Sequence, residues 1–263
     1  MKLKTVELHN GTIAYQDEGK GKPIVLLHGF CGSSRYWDKV IPKLSNNFRL
    51  IAPDLPGHGG SSVTGHISSI EDMANHIKDF LDSLNVQEVT MFGHSMGGYI
   101  TLEFAKKYSD RLNGFSLIHS TAFPDTEEAK AAREANIAKV EQVGVHPLIE
   151  GLVPKLFAQE NQDKNADEVI KTKEIGYLTS PIGATTALKA MKDRPDLNNV
   201  LEATSLPVLL IAGEKDQVIP PEKTFSVTKS NILQSLITNS GHMSMFEAPG
   251  KLISEMEEFL KEI

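Results

Sequence analysis

The sequence has a single cysteine, Cys31, so no disulfide forms within the chain and redox chemistry does not hold it together. It has no basic excess. Its 27 lysines and arginines face 34 aspartates and glutamates, and a net charge of −7 excludes the basic stripe of a nucleic-acid binder. Long apolar runs are missing: the longest, such as Val208-Leu209-Leu210-Ile211-Ala212, have the length of a strand and are too short to cross a bilayer. No membrane partner is therefore expected. The first residues, Met1-Lys2-Leu3-Lys4-Thr5-Val6-Glu7, lack the apolar stretch of a secretory signal, and the expected location is cytoplasmic. Metal-ligand spacing is missing too. The nine histidines include no His-x3-His pair and there is no Cys-x2-Cys, so neither a metal nor a cofactor is expected. Internal repeats and low-complexity tracts are also absent.

What is present is a 263-residue chain with 40% hydrophobic residues, enough for one large core with a modest insertion. Residues 3–17 alternate in type around Asn10-Gly11, a hairpin signal. Pro23 to Gly29, Asn47 to Asp54, Glu88 to Phe92 and Gly114 to His119 carry the apolar runs of strands buried on both faces. Between them lie helical patterns. Ser33 or Ser34 caps a helix through Trp37, Val40, Ile41 and Leu44. Ser68 with Glu71 fits a capping box opening a helix through Met73, Ile77, Phe80 and Leu84. Strands alternating with helices predict a mostly parallel sheet of about eight strands, with an N-terminal hairpin and helices on both faces.

The rhythm breaks between 121 and 197. Glu127 to Val143 is rich in Ala, Lys and Glu, and helical patterns follow over 149–157, 166–178 and 184–191. The strand pattern resumes at Leu206, with a helix near 221–228, a strand over 233–238 and a closing helix from Leu252 to Leu260. The expected organisation is a core of 1–120 and 198–263 with a helical lid, 121–197, inserted between two strands of one sheet.

The chemistry centres on Gly93-His94-Ser95-Met96-Gly97-Gly98, which contains Gly-x-Ser-x-Gly between a buried strand and a helix. A sharp turn there lifts the serine above the sheet, and the glycines are needed because a Cβ would strike the neighbouring backbone. A serine hydroxyl needs a base, and the base needs a group to hold its tautomer. Asp216 and His242 each fall just past the carboxyl end of a strand, where open α/β sheets place their ligands. Glu214 competes with Asp216 but lies closer to its strand. Ser95, Asp216 and His242 are thus the candidate nucleophile, acid and base. The oxyanion of an ester hydrolysis needs two N–H donors, assigned to the backbone of Met96 and of Phe30.

The segments Leu26-Leu27-His28-Gly29-Phe30, Asp54-Leu55-Pro56-Gly57-His58-Gly59, the serine turn, Gly213-Glu214-Lys215-Asp216 and Gly241-His242 resemble the α/β-hydrolase superfamily over nearly the whole chain. The resemblance is closest to small bacterial carboxylesterases. It implies a serine hydrolase acting on a small-molecule carboxylic ester through an acyl-enzyme, with Asp54 in a structural turn. A lyase of the menaquinone-biosynthesis type and a C–C bond hydrolase use the same triad. The lyase subfamily carries Tyr before the serine and Arg after the double glycine, where this chain has His94 and Tyr99. A non-catalytic binding protein on the same fold is the alternative of another class. Phe30, Met96, Phe123, Leu148, Leu152, Phe157 and Met191 are the apolar candidates for the substrate pocket. With Lys155, Lys189 and Arg194 expected on helix surfaces, no cationic anchor is foreseen and neutral esters of small to medium acyl groups are the expected substrates.

Overall fold

The computed structural model describes residues 3–9, 11–63 and 67–263. The candidate hairpin turn includes Asn10, which lies outside the described residues. On either side of it, β1 (Lys4–Leu8) and β2 (Gly11–Glu18) pair antiparallel, with Leu8 opposite Gly11. The remaining strands are β3 (Pro23–Leu27), β4 (Arg49–Pro53), β5 (Val89–His94), β6 (Leu112–Ile118), β7 (Val208–Gly213) and β8 (Ile232–Ile237). Among the described residues these eight form one sheet in the order β1-β2-β4-β3-β5-β6-β7-β8. Pairing is antiparallel from β1 to β2 and from β2 to β4, and parallel from there on. The apolar runs of β3, β5 and β7 are buried, as a strand covered on both faces requires.

Helices cover both faces. They begin with α1 (Ile41–Leu44), α2 (Ile70–Ser83) and α3 (Met96–Lys107). The insertion between β6 and β7 contains α4 (Glu127–Val143), α5 (His146–Leu156), α6 (Ala166–Tyr177) and α7 (Pro181–Lys192). Then come α8 (Asn198–Ala203), α9 (Pro221–Thr224), α10 (Ser244–Glu247) and α11 (Pro249–Lys261). Phe92 packs edge-on against Phe259 of α11, while its neighbour Gly93 lies against α3, so α11 and α3 lie on opposite faces of the sheet. Among the described residues no helix is long and apolar enough to cross a membrane.

Three local expectations are corrected, and one short helix went unread. The capping box of α2 is Ser69 with Asp72, one residue later than Ser68 with Glu71. The shorter Asp72 carboxylate accepts from the N–H groups of both Ser68 and Ser69, and Glu71 instead pairs with Lys107. Residues 33–44 do not form one helix. Ser33 caps a 3-10 turn, Ser34–Trp37, and α1 starts afresh around Pro42, whose ring would meet the carbonyl four residues back in a continuous helix. The helix near 221–228 stops at Thr224, where Phe225 leaves helical backbone ahead of the β-branched Val227 and Thr228. The short α8 carries no amphipathic period long enough to announce it.

Among the contacts that fasten the insertion, two lie beside the sheet's carboxyl edge. Gly57 and Gly183 meet without side chains, so the start of α7 sits on the turn after β4, and Ser180 N–H donates to the Gly57 carbonyl at 2.9 Å. At the other place, His242 N–H donates to the Leu156 carbonyl at 2.8 Å. Glu247 accepts there from the N–H of Gly241 at 2.9 Å, the N–H of Ala158 at 3.0 Å and the amide of Asn161 at 2.8 Å.

Candidate active site

Ser95 closes β5 and opens α3 with φ 52° and ψ −117°, a conformation strained for any residue with a Cβ. Its neighbours hold it there. Ser95 N–H donates to the Ile118 carbonyl at 2.9 Å, and the Ser120 hydroxyl donates to the Ser95 carbonyl at 2.8 Å. A Cβ on Gly93 would strike the Gly97 carbonyl, and one on Gly97 would lie 2.6 Å from the Leu27 carbonyl oxygen. The glycines of Gly-x-Ser-x-Gly are therefore the condition for α3 to turn back so tightly over β3.

His242 and Asp216 come from the ends of β8 and β7, which the missing side chain of Gly213 lets approach: its Cβ would collide with the Gly241 carbonyl. His242 Nδ1 donates to Asp216 Oδ2 at 2.7 Å, and both side chains are buried. Asp216 Oδ1 accepts from the N–H groups of Val218 at 2.8 Å and Ile219 at 2.9 Å. Burial on its own raises the Asp216 carboxyl. The charge of His242 and the contacts with His119 and His242 outweigh it and hold the group well below the usual carboxylate range. Glu214 is exposed and accepts from Asn239 N–H at 3.0 Å, away from the imidazole.

Ser95 and His242 line one cavity of about 90 Å³, with Gly29, Phe30, Tyr36, His94, Tyr99 and Val218 from the sheet side. Arg133 of α4, Leu152 and Leu156 of α5 and Met191 of α7 line it from the insertion. The N–H of Met96 belongs to the first residue of α3 and has no partner within the helix. The N–H of Phe30 meets no acceptor among the described residues.

Of the expected pocket residues, Phe30, Leu152 and Met191 line the cavity. Met96 and Leu148 are buried in the core beside it, and Phe157 stacks on Phe246 with ring centroids 6.5 Å apart. Phe123 borders a second cavity next door. The expectation that Arg194 is a solvated surface residue is overturned. It is buried, with its guanidinium carbon 4.0 Å from the centroid of the Tyr99 ring and its Nη1 on Asp125.

Three residues escaped the sequence. Arg133 shares a helix face with Ile137 and Val140, a spacing that points it inward. His119 follows β6 at the sheet edge that supplies Ser95, Asp216 and His242, and the same rule about strand ends would have found it. Its Nδ1 is 3.3 Å from Asp216 Oδ2, looser than a formed hydrogen bond, and its Nε2 meets the Ser244 hydroxyl at 2.7 Å. His119, Asp216 and His242 place three metal-capable atoms within 4.8 Å of one another; His242 Nδ1 is committed to Asp216 and His119 Nε2 to Ser244. Tyr36 is the third, reaching the cavity from the 3-10 turn.

The other histidines are structural neighbours. His28 Nε2 accepts from Leu55 N–H and its Nδ1 donates to Gly29, and burial pushes it down to about 4. His94 Nε2 donates to the His242 carbonyl at 2.9 Å, and burial followed by the adjacent His242 and His119 pushes it well below its ordinary value. Burial drives the Cys31 thiol upward, leaving it no thiolate character. Asp54 accepts from the N–H of Ser34 and Gly60 and so ties up its turn.

A strained serine at a strand-to-helix turn, above a mostly parallel sheet, with a His–Asp pair at neighbouring strand ends, defines a class. The chain belongs to the alpha/beta hydrolase fold family, whose model matches residues 22–249. It is similar to the (E)-2-((N-methylformamido)methylene)succinate hydrolase of Acinetobacter baylyi, 28% identical over 98% of each chain. It is also similar to 3-oxoadipate enol-lactonase 1 of the same organism, 26% identical over 96% of this chain and 94% of that one. Among solved structures, a thermophilic esterase from Thermogutta terrifontis, solved with malate bound, superposes with a TM-score of 0.94 at 29% identity, covering 100% of this chain and 99% of the other. The family and these relatives mark the chain as a hydrolase.

Proposed function

We propose that the chain is a serine hydrolase that cleaves carboxylic esters through an acyl-enzyme, with Ser95, His242 and Asp216 as its triad. The observation that carries this reading is Ser95 on its strained turn in the same cavity as His242, whose Nδ1 is fixed on Asp216. In this reading Ser95 Oγ attacks the ester carbonyl while His242 Nε2 takes its proton. The resulting oxyanion is held by the N–H groups of Met96 and Phe30, the first of them at the positive end of α3. His242 returns the proton to the leaving alcohol. A water then attacks the acyl-enzyme, giving a proton to His242, which passes it to Ser95 Oγ as the Oγ–acyl bond breaks and the carboxylic acid leaves. Asp216 keeps the proton of neutral His242 on Nδ1, so that Nε2 is free to act as base.

Helices α4 to α7 serve as the lid, since Arg133, Leu152, Leu156 and Met191 close the cavity from above. Its volume of about 90 Å³ corresponds to roughly three waters at ~30 Å³ each, which suits short acyl chains and small lactones. A panel of ethyl and p-nitrophenyl esters and lactones of graded acyl length tests the proposal. Turnover of the shorter esters is expected; a purified, folded protein that cleaves none of them overturns it.

A further inference from the structure

A second cavity of about 220 Å³ adjoins the one that holds Ser95. The two share Tyr99, Arg133 and Val218 as walls, so Arg133 faces both. The second is also bordered by Asp125, Arg194 and Lys223. These charges come from separate parts of the chain: Arg133 from α4, Arg194 from the connection between α7 and α8, and Lys223 from α9. Three cations face one carboxylate, which leaves two positive charges in excess.

Asp125 alone does not satisfy them. It pairs with Nε and Nη2 of Arg133 and with Nη1 of Arg194. Burial raises its carboxyl, and the two guanidiniums outweigh that and hold it ionised below its ordinary value. Nη1 of Arg133 has no partner among the described residues, and Nε of Arg194 is buried without one. A buried guanidinium with an unpaired N–H costs free energy unless an acceptor arrives. Arg194 cannot swing away to water, because its plane rests on the Tyr99 ring and its Nη1 also donates to the Met191 carbonyl at 2.8 Å. Lys223, by contrast, is exposed, with its ammonium 4.9 Å from the centroid of the Phe123 ring at the mouth of this cavity. A rigid pair of guanidiniums with donors to spare, next to a reacting centre, is suited to a second carboxylate.

The geometry points to a carboxylate subsite: the substrate is an ester or lactone that also carries a free carboxylate, held by Arg133, Arg194 and Lys223 while its carbonyl lies at Ser95. This rests on the ester-cleaving reading and deepens it, reversing the neutral substrate expected from the sequence. Tyr99 and Val218 form the passage between the two ends of such a molecule.

The test compares monoethyl succinate, glutarate and adipate with ethyl butanoate, pentanoate and hexanoate, pairs in which a terminal carboxylate replaces a methyl group. In the wild type the best half-ester is expected to exceed its neutral partner in kcat/KM by at least about tenfold. Arg133→Gln should cut that ratio by about tenfold or more, and Lys223→Gln should lower it by a smaller factor. Lys189→Gln, an exposed charge removed elsewhere on the same lid, should leave it unchanged. Binding is read separately, as the rise in unfolding temperature produced by glutarate or succinate. That rise should be present in the wild type and shrink in Arg133→Gln and Lys223→Gln. If Arg133→Gln fails to fold, Lys223→Gln and the wild-type ratio decide. Neutral esters cleaved as fast as their half-ester partners, with no diacid binding, overturn the subsite while leaving the esterase intact. Diacids that bind the wild type and all variants equally overturn it as well. No ester turned over, but diacid binding weakened by Arg133→Gln, upholds the subsite and defeats the esterase reading.

Discussion

His119 Nδ1 stands 3.3 Å from Oδ2 of Asp216, the same oxygen that His242 Nδ1 meets at 2.7 Å. Two imidazoles therefore lean on one carboxylate oxygen, and the second ring is held from behind by Ser244. His119→Gln is expected to lower kcat by about tenfold, on the order of one charge-assisted contact. A variant with kcat within twofold of the wild type would reduce His119 to packing.

The strain at Ser95 and its proposed chemistry are separable. Ser95→Ala should lose about 10³-fold or more of kcat, since only oxyanion and binding contributions remain. Ser95→Gly should be equally inactive yet more stable by about 1 kcal/mol, because glycine relieves a backbone strain of about 1 to 3 kcal/mol at some entropic cost. Urea titrations in which Ser95→Gly is the less stable of the two would mean the φ of 52° carries no strain.

Asp216→Asn should retain KM and lose about 10³-fold or more in kcat, because an amide presents a donor that favours the wrong imidazole tautomer. Glu214→Gln should be mild, since its carboxylate is exposed and only supports Asn239. Steady-state kinetics giving the reverse ranking would assign the acid to Glu214.

Glu247 joins the His242 loop to the insertion through Gly241, Ala158 and Asn161. Glu247→Ala removes the acceptor of the Gly241 and Ala158 N–H groups, while Asn161 keeps the Asn239 carbonyl, and should destabilise the fold by about 2 kcal/mol. Because it frees both sides of the cavity, kcat should fall with it. An unchanged urea midpoint would show that water replaces the carboxylate at no cost.

Acid should unfold this protein early. His28, His58, His94 and His119 all lie below their ordinary 6.5 because burial disfavours the charged ring, His28 at about 4 and His58 at about 3. The unfolded chain takes up these protons first, so stability is full above 6.5 and is lost as pH falls through that window. The slope reaches about 1.4 kcal/mol per pH unit for each histidine. Asp125 and Asp216, held below 3.8, add losses in the same direction at still lower pH. Urea midpoints should therefore drop steeply from pH 6.5 to 4, and a flat profile across that range would contradict the burial argument.

The legible parts of the sequence were those in which local chemistry and tertiary demand agree. Helix α4 runs over Glu127–Val143 as read, because Thr126 caps its start and Gly144, at φ 78°, ends it. The gathering of Ser95, Asp216 and His242 was legible because each lies past the carboxyl end of a strand, and a parallel sheet brings those ends to one edge. The direction of side chains on the inserted helices was not. Leu148 and Phe157 are apolar and near the cavity, yet turn into the core, and no periodicity distinguishes a core face from a pocket face when both are apolar. Arg194 looked like a solvated cation because its partners, Asp125 and Tyr99, lie 69 and 95 residues away in sequence.

The central claim is that Ser95 becomes acylated with His242 as its base, and the mass of the intact protein tests it most directly. Wild-type protein treated with a fluorophosphonate should gain one adduct, mapped to Ser95 by peptide sequencing. His242→Gln should label far more slowly, and Ser95→Ala should not label at all. Equal labelling of Ser95→Ala, or an adduct on another residue, would contradict the account.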